Sequence, residues 1–227
     1  MWGSFRNGLK KYLHQERATA FSGSDLETLR QNRDSCSWPN IYYGNVDLLA
    51  KMVDAKTILE VGVAWGYHAQ HMLLNLPNIA YTGIDPYLSG YDKNDAFPQD
   101  VAKLFRDDEQ SSMDRLYQAV KMELNEKFPG RATLVREKST DWLDKQSDKF
   151  DVIFLDGDHT FETVRKELSG YWTKVNEGGV LAGDDYDWPE VKKAVDEFAN
   201  EKKLHVKFLS KESRGYPTYF FFKQSSL

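Results

Sequence analysis

Two acidic pairs close two successive apolar runs: Asp156 and Asp158 follow Val152-Ile153-Phe154-Leu155, and Asp184 and Asp185 follow Val180-Leu181-Ala182-Gly183. A short continuous apolar run reads as a buried parallel strand, and open α/β sheets take their ligands at the carboxyl ends of such strands. Neighbouring strand ends would bring four carboxylates into one crevice. Carboxylates that close repel one another unless a cation or a shared proton separates them, so the pattern points to a divalent metal or an acid–base pair. Helix capping is the competing reading, and it accounts for one Asp per strand but not for two.

A second constellation lies upstream. Glu60-Val61-Gly62-Val63-Ala64-Trp65-Gly66 follows an apolar run and sets Gly62 and Gly66 where backbone can come close to a ligand. Asp85, about twenty residues beyond the turn, is placed to take the two ribose hydroxyls of an adenosine. The spacing departs from the dinucleotide fingerprint, because Ala64 stands at the middle glycine position and Glu60 precedes the turn. An acid there repels a pyrophosphate and attracts a cation, and a sulfonium with an amino-acid tail is such a ligand.

The elements that must position these groups follow from periodicity. Val46, Leu49, Ala50 and Val53 recur at helical spacing, Thr57 to Val61 is a compact strand, and Ala69, Met72, Leu73 and Leu76 form one helical face stopped by Pro77. Ala80 to Asp85 reads as a second strand and Arg131 to Arg136 as a third. The roughly 45 residues between them exceed one crossover, so Tyr87 to Met113 is expected to be an insertion covering the substrate or an idle surface excursion. Strands over Phe150 to Leu155 and Gly179 to Gly183 alternate with a helix bearing Phe161, Val164, Leu168 and Trp172 and another beginning near Pro189. His205 to Leu209 and Thr218 to Phe222 are joined by too short a link for a parallel crossover and make an antiparallel pair. The expected fold is α/β, a Rossmann-like doubly wound, mostly parallel sheet with an antiparallel C-terminal strand.

Composition bounds the remainder. The chain has 227 residues, enough for one α/β domain with a real core, and a net charge of −5 without a long basic run, which argues against nucleic acid. The single cysteine, Cys36, has no internal partner, no start resembling a signal peptide is present, and no stretch nears a membrane span. A cytoplasmic protein with no membrane partner is the expectation, and association of copies is left open. The first forty residues read as two short helical pieces, Leu9 to Leu13 and Asp25 to Arg33.

Together the turn from Glu60 to Gly66, Ile84-Asp85, Lys138-Ser139 and Phe150 to Asp158 resemble the class I S-adenosylmethionine-dependent methyltransferases over roughly Ile41 to the C-terminus. Residues 1–40 would then be a helical arm or lid, and 41–227 the methyltransferase domain with an insertion at about 87–113. Leu155-Asp156-Gly157-Asp158-His159 with Gly183-Asp184-Asp185-Tyr186 is most similar to the metal-dependent macrocin-type sugar O-methyltransferases, and more distantly to catechol O-methyltransferase. That resemblance implies Mg²⁺, or Mn²⁺, on Asp156, Asp184 and Asp185, with Asp158 as the base. His159 stands where the resemblance leads one to expect an apolar residue, so the base lies between Asp158, which is favoured, and His159. The cofactor would meet Glu60 and Gly62 at its methionine part, Asp85 at its ribose and Ser139 with Thr140 near its adenine, with Gly66 and Asp156 also on the cofactor side. Ser139 could instead cap a helix; His68 and His71 are expected on a solvated face; Tyr42, Tyr43 and Trp65 wall the pocket or pack the core. The small-molecule acceptor implied is a sugar hydroxyl. Alternatives are a catechol-like phenol, a metal-independent methyltransferase and a noncatalytic cofactor-binding module.

Overall fold

The computed structural model describes residues 23–35, 43–91, 96–209 and 218–224. The expectations for Leu9 to Leu13, Cys36 and Tyr42 lie outside them. In chain order the elements are α1 (Gly23–Ser35), α2 (Tyr43–Met52), β1 (Thr57–Val61), α3 (Tyr67–Asn75), β2 (Ala80–Ile84), α4 (Phe97–Phe105), α5 (Glu109–Lys127) and β3 (Ala132–Val135). They continue with α6 (Ser139–Leu143), β4 (Phe150–Leu155), α7 (Phe161–Lys174), β5 (Val175–Gly183), α8 (Pro189–Lys202), β6 (Lys207–Leu209) and β7 (Thr218–Phe222).

The strands form one seven-stranded sheet in the order β3-β2-β1-β4-β5-β7-β6. Strands β1 to β5 run parallel, and β7 is inserted antiparallel to both neighbours. Strand order reverses between β1 and β4, the switch point where such sheets open a crevice.

Alternation along each strand feeds two cores. Ile58, Val152, Phe154, Val180, Ala182 and Phe220 face one side, toward α2, α3 and α5. Leu59, Val61, Ile153, Leu155, Leu181 and Phe221 face the other, toward α7 and α8. Apolar residues on both faces are what a sheet covered on both sides requires, and they are why the central strands read as unbroken apolar runs.

Several boundaries differ from the sequence reading. β5 begins at Val175 rather than Gly179, because Phe150 pairs with Val175 across a register shift in the ladder. β6 keeps only Lys207 to Leu209, the three residues that pair with β7 at the sheet edge. The stretch from Tyr87 to Met113 is not wholly an excursion: its last part is the first turn of α5, the crossover helix into β3. α4 is the additional element, and an Asp108 carboxylate accepting from the Ser111 amide at 3.0 Å starts α5 behind it. Among the described residues no helix is long and apolar enough to cross a membrane.

Candidate active site

A cavity of about 870 Å³ opens at the carboxyl ends of β1, β2 and β4. Its wall carries Glu60, Gly62, Asp85, Ser139, Asp156, Asp158 and His159. Asp184 and Asp185 face an adjoining cleft whose wall shares Asp156, Asp158 and His159. Gly66 and Thr140 stand outside both walls.

The glycine turn is shaped by contact, not by flexibility. Gly62 has φ +87°, and a Cβ there would lie 1.8 Å from the Asp156 carbonyl oxygen, so any side chain would force β1 and β4 apart at the crevice. At Gly66, φ +69°, a Cβ would meet Val120 of α5 at 2.7 Å; this glycine seats the turn on a helix. Between them Ala64 is held at φ 48°. Its amide and that of Val63 donate to Asp85 Oδ2 at 2.9 and 3.0 Å, while the Tyr87 amide donates to Oδ1 at 2.7 Å. Burial pushes the Asp85 carboxyl up from its ordinary range, and these three amides oppose the shift.

Glu60 is 1 % exposed, and Tyr81 donates its hydroxyl to one carboxylate oxygen while His68 Nδ1 lies 2.7 Å from the other. His68 is therefore not on a solvated face, as periodicity suggests. It is 4 % exposed, stacked on Tyr43 with ring centroids 4.5 Å apart, and edge-on to Phe154. The reason is that its ring, in the first turn of α3, lies against Glu60 of β1, so a position polar by helical count meets a buried acid. His71, one turn on, is half-buried and its Nε2 sits 3.0 Å from Asp47. Trp65 lines the cavity edge-on to Phe97 of α4.

Asp156, His159 and Asp185 converge so that one ligand atom from each lies within 4.8 Å of the others. His159 Nε2 is 2.9 Å from Asp185, and its ring stacks on Trp188 at 4.5 Å. Asp185 adopts φ 59°, a left-handed conformation that aims its carboxylate back at the crevice. Asp184 is 7 % exposed, and its Oδ1 is buried with no hydrogen-bond partner among the described residues. Burial, then Asp184 and Asp185, push Asp156 well above the ordinary carboxylate range; burial, then Asp185, push Asp184 up.

The capping alternative is now separable residue by residue. Asp158 Oδ1 accepts from the Thr160 amide at 2.7 Å and its hydroxyl at 2.6 Å, just before α7. Asp184 and Asp185 do not cap α8, which starts at Trp188 with Pro189 in its first turn. Ser139 does not cap α6: Lys138 holds that position, and the Ser139 hydroxyl donates to Glu167. Glu167 escaped the sequence reading although its signal was present, a charged residue three positions after Val164 on the apolar face of α7. It is 1 % exposed and burial pushes it up to about 8.

A family described as a methyltransferase domain matches residues 59–186, which run from β1 through both acid pairs. The chain belongs to that family. It is a methyltransferase, and S-adenosylmethionine is the donor such an enzyme takes. Among solved structures, an SAH-bound methyltransferase from Podospora anserina is 14% identical over 89% of each chain, with a TM-score of 0.56. An O-methyltransferase family protein from Burkholderia thailandensis is 13% identical, covering 90% of this chain and 59% of that one, with a TM-score of 0.54. A TDP-rhamnose 3'-O-methyltransferase of calicheamicin biosynthesis is 16% identical over 86% and 92%, with a TM-score of 0.50. At these identities the likeness shows the fold. An uncharacterized protein of Acanthamoeba polyphaga mimivirus is 39% identical over 57 residues, 23% of this chain and 26% of that protein.

Proposed function

We propose that the methyltransferase is a metal-dependent O-methyltransferase acting on a hydroxyl of a saccharide or glycosylated small molecule. The observation that carries this reading is the meeting of Asp156, Asp185 and His159 beside the cofactor crevice, with the buried, unpartnered Asp184 Oδ1 behind them. Like charges held together in a half-buried site need a cation, and carboxylate oxygen donors suit Mg²⁺ or Mn²⁺. Asp156, Asp184 and Asp185 would hold the ion, which when bound lowers the pKa of a coordinated hydroxyl.

The rest of the chemistry belongs to the chain. Gly62 would let the backbone approach the methionine part of the donor, the buried Glu60–His68 pair would face its cationic centre, and Asp85 and Ser139 would meet its ribose and adenine. Transfer is an in-line displacement: the acceptor oxygen bonds to the methyl carbon, the C–S bond breaks, and its electron pair stays on sulfur. The hydroxyl proton goes to His159. This assignment reverses the preference for Asp158, whose Oδ1 is already occupied by Thr160 at the start of α7, whereas the His159 ring is oriented by Asp185 and Trp188. Phe97 and Leu104 of α4 add apolar surface to the cavity wall. Trp65 and Tyr67 with Asn32 and Gln70 offer both ring faces and hydrogen-bonding groups, as a hydroxyl-rich acceptor needs.

Incubation with isotopically labelled S-adenosylmethionine, Mg²⁺ and a panel of sugars, glycosides and catechols tests the reading. Label should pass to a glycoside, stop on chelation and resume with Mg²⁺ or Mn²⁺. Full transfer in excess chelator would establish a metal-independent enzyme instead.

A further inference from the structure

The cavity is polarised. Acids crowd the strand ends, with Glu167 of α7 beside them, but on the side of α1, α4 and α5 the charged groups reaching the wall are Arg33 of α1 and Lys127 of α5, with Asp100 of α4 ion-paired to Lys103 at 2.9 Å. Arg33 and Lys127 come from the last turns of two helices and are fixed side by side. Arg33 Nη1 donates to Gln70 Oε1 at 2.9 Å and to Glu123 Oε1 at 2.9 Å. Lys127 Nζ reaches the same two oxygens, at 3.3 and 2.5 Å. Arg30 takes the other oxygen of Glu123 at 2.7 Å.

Three cations thus surround one carboxylate that is 1 % exposed. The further acids they meet, Glu126 and Asp34, balance them in formal charge but are 51% and 70% exposed and screened by water, so they offset the positive charge at the wall only in part. Burial pushes Glu123 up, but hydrogen bonds from Lys127 and Arg30 hold its carboxyl below the ordinary range. Arg33 and Lys127 keep about a third of their side-chain surface accessible. Two preorganised donors with surplus charge, on a cavity wall, form a site for an anion.

We propose that Arg33 and Lys127 bind an anionic group of the methyl acceptor, so that the acceptor is a hydroxylated compound bearing a phosphate or a carboxylate. The proposal rests on the reading of this cavity as the site of methyl transfer. The hydroxyl lies at the acidic end and the anion at the helical end, which fixes which hydroxyl meets the donor. The charge pattern also rejects cationic acceptors, which would meet Arg33 and Lys127.

The test is calorimetry on the full chain, first with SAH, then on the SAH-loaded protein with inorganic phosphate, glucose phosphate, glucuronate and methyl glucoside. At least one charged sugar should bind about tenfold or more tighter than methyl glucoside, and phosphate should compete with it. Whether the phosphate or the carboxylate sugar is preferred identifies the anion. Arg33→Gln and Lys127→Gln should each remove most of that preference with SAH affinity unchanged, and Arg33→Lys should keep it. Arg30→Gln removes a similar ion pair to Glu123 but does not alter the cavity wall, and it should leave the preference intact. Failure to bind SAH would contradict the reading of the cavity. Normal SAH binding with no preference for charge, or a preference that Arg30→Gln abolishes as fully as Arg33→Gln, would overturn the anion site alone.

Discussion

Asp85 and Asp156 occupy the same place on two strands of one sheet, the position after the last residue of β2 and of β4, and burial pushes both above the ordinary carboxylate range. What surrounds them is opposite. Asp85 is held by three backbone amides that pull it back toward ionisation, and it in turn fixes the shape of the glycine turn. Asp156 has Asp184, Asp185 and Glu60 around it, which push it further up, and no hydrogen bond to its carboxylate is made among the described residues. One strand-end acid is satisfied by its own chain; the other is left for a ligand. The identity of the neighbours, amide or acid, separates an acid that organises a loop from one that, on the proposed reading, would take a cation.

The largest expected effect separates the two by sign. Asp156→Asn should stabilise the metal-free protein by roughly 1–3 kcal/mol, because it removes a charge from a half-buried cluster of like charges, yet lower turnover about a thousandfold, about 4 kcal/mol of barrier. Chemical denaturation and single-turnover transfer on the same preparation check both halves; loss of stability would break the contrast. Glu167 is a third buried acid that extends it. Its carboxyl is raised from 4.5 to about 8, so the unfolded chain releases a proton that the folded chain retains, and stability falls as pH rises between those values. Glu167→Gln should flatten that fall, with a gain of up to about 4 kcal/mol near the upper end. Parallel pH profiles of the two variants would differ little if the carboxyl ionises normally.

Asp85→Ala should cost about 2–3 kcal/mol of folding stability, since it strands amides at the turn, and should weaken S-adenosylmethionine binding as well. The Asp85 and Asp156 variants would then move stability in opposite directions, a result that calorimetric unfolding reads directly. The smallest effect sharpens the acid cluster itself. His159→Ala should lower turnover about a hundredfold, near 2.7 kcal/mol, with cofactor affinity unchanged, and Asp158→Asn should cost less. If the order is reversed at saturating metal, the proton goes to Asp158.

Most of the sheet was legible because its central strands are buried on both faces and show as apolar runs, and because Pro77 and Pro189 punctuate the helices. The antiparallel end followed from a link too short to cross over. The acids at the ends of β4 and β5 were legible for the same reason, since strand ends fix where they lie. Residues that reach the site from helices were not. His68 sits on the polar side of α3 by periodicity and is buried because its ring packs on Glu60, Tyr43 and Phe154. Arg33, Gln70 and Lys127 come together only through the packing of α1, α3 and α5, which no local spacing encodes. Asp158 and His159 are adjacent in sequence, and their partners tell them apart: Thr160, two residues on, for one, and Asp185 with Trp188, reached only through the fold, for the other.

The central claim, that Asp156 and the acids beside it await a divalent cation, is tested most directly by thermal unfolding of the wild-type protein and Asp156→Asn across a titration of Mg²⁺ or Mn²⁺. Binding to the folded state alone raises the midpoint in a saturable way. The account predicts that the wild type rises with metal from a low starting midpoint, while Asp156→Asn starts higher and stays flat. A wild type indifferent to both ions, or a variant that responds as the wild type does, would contradict it.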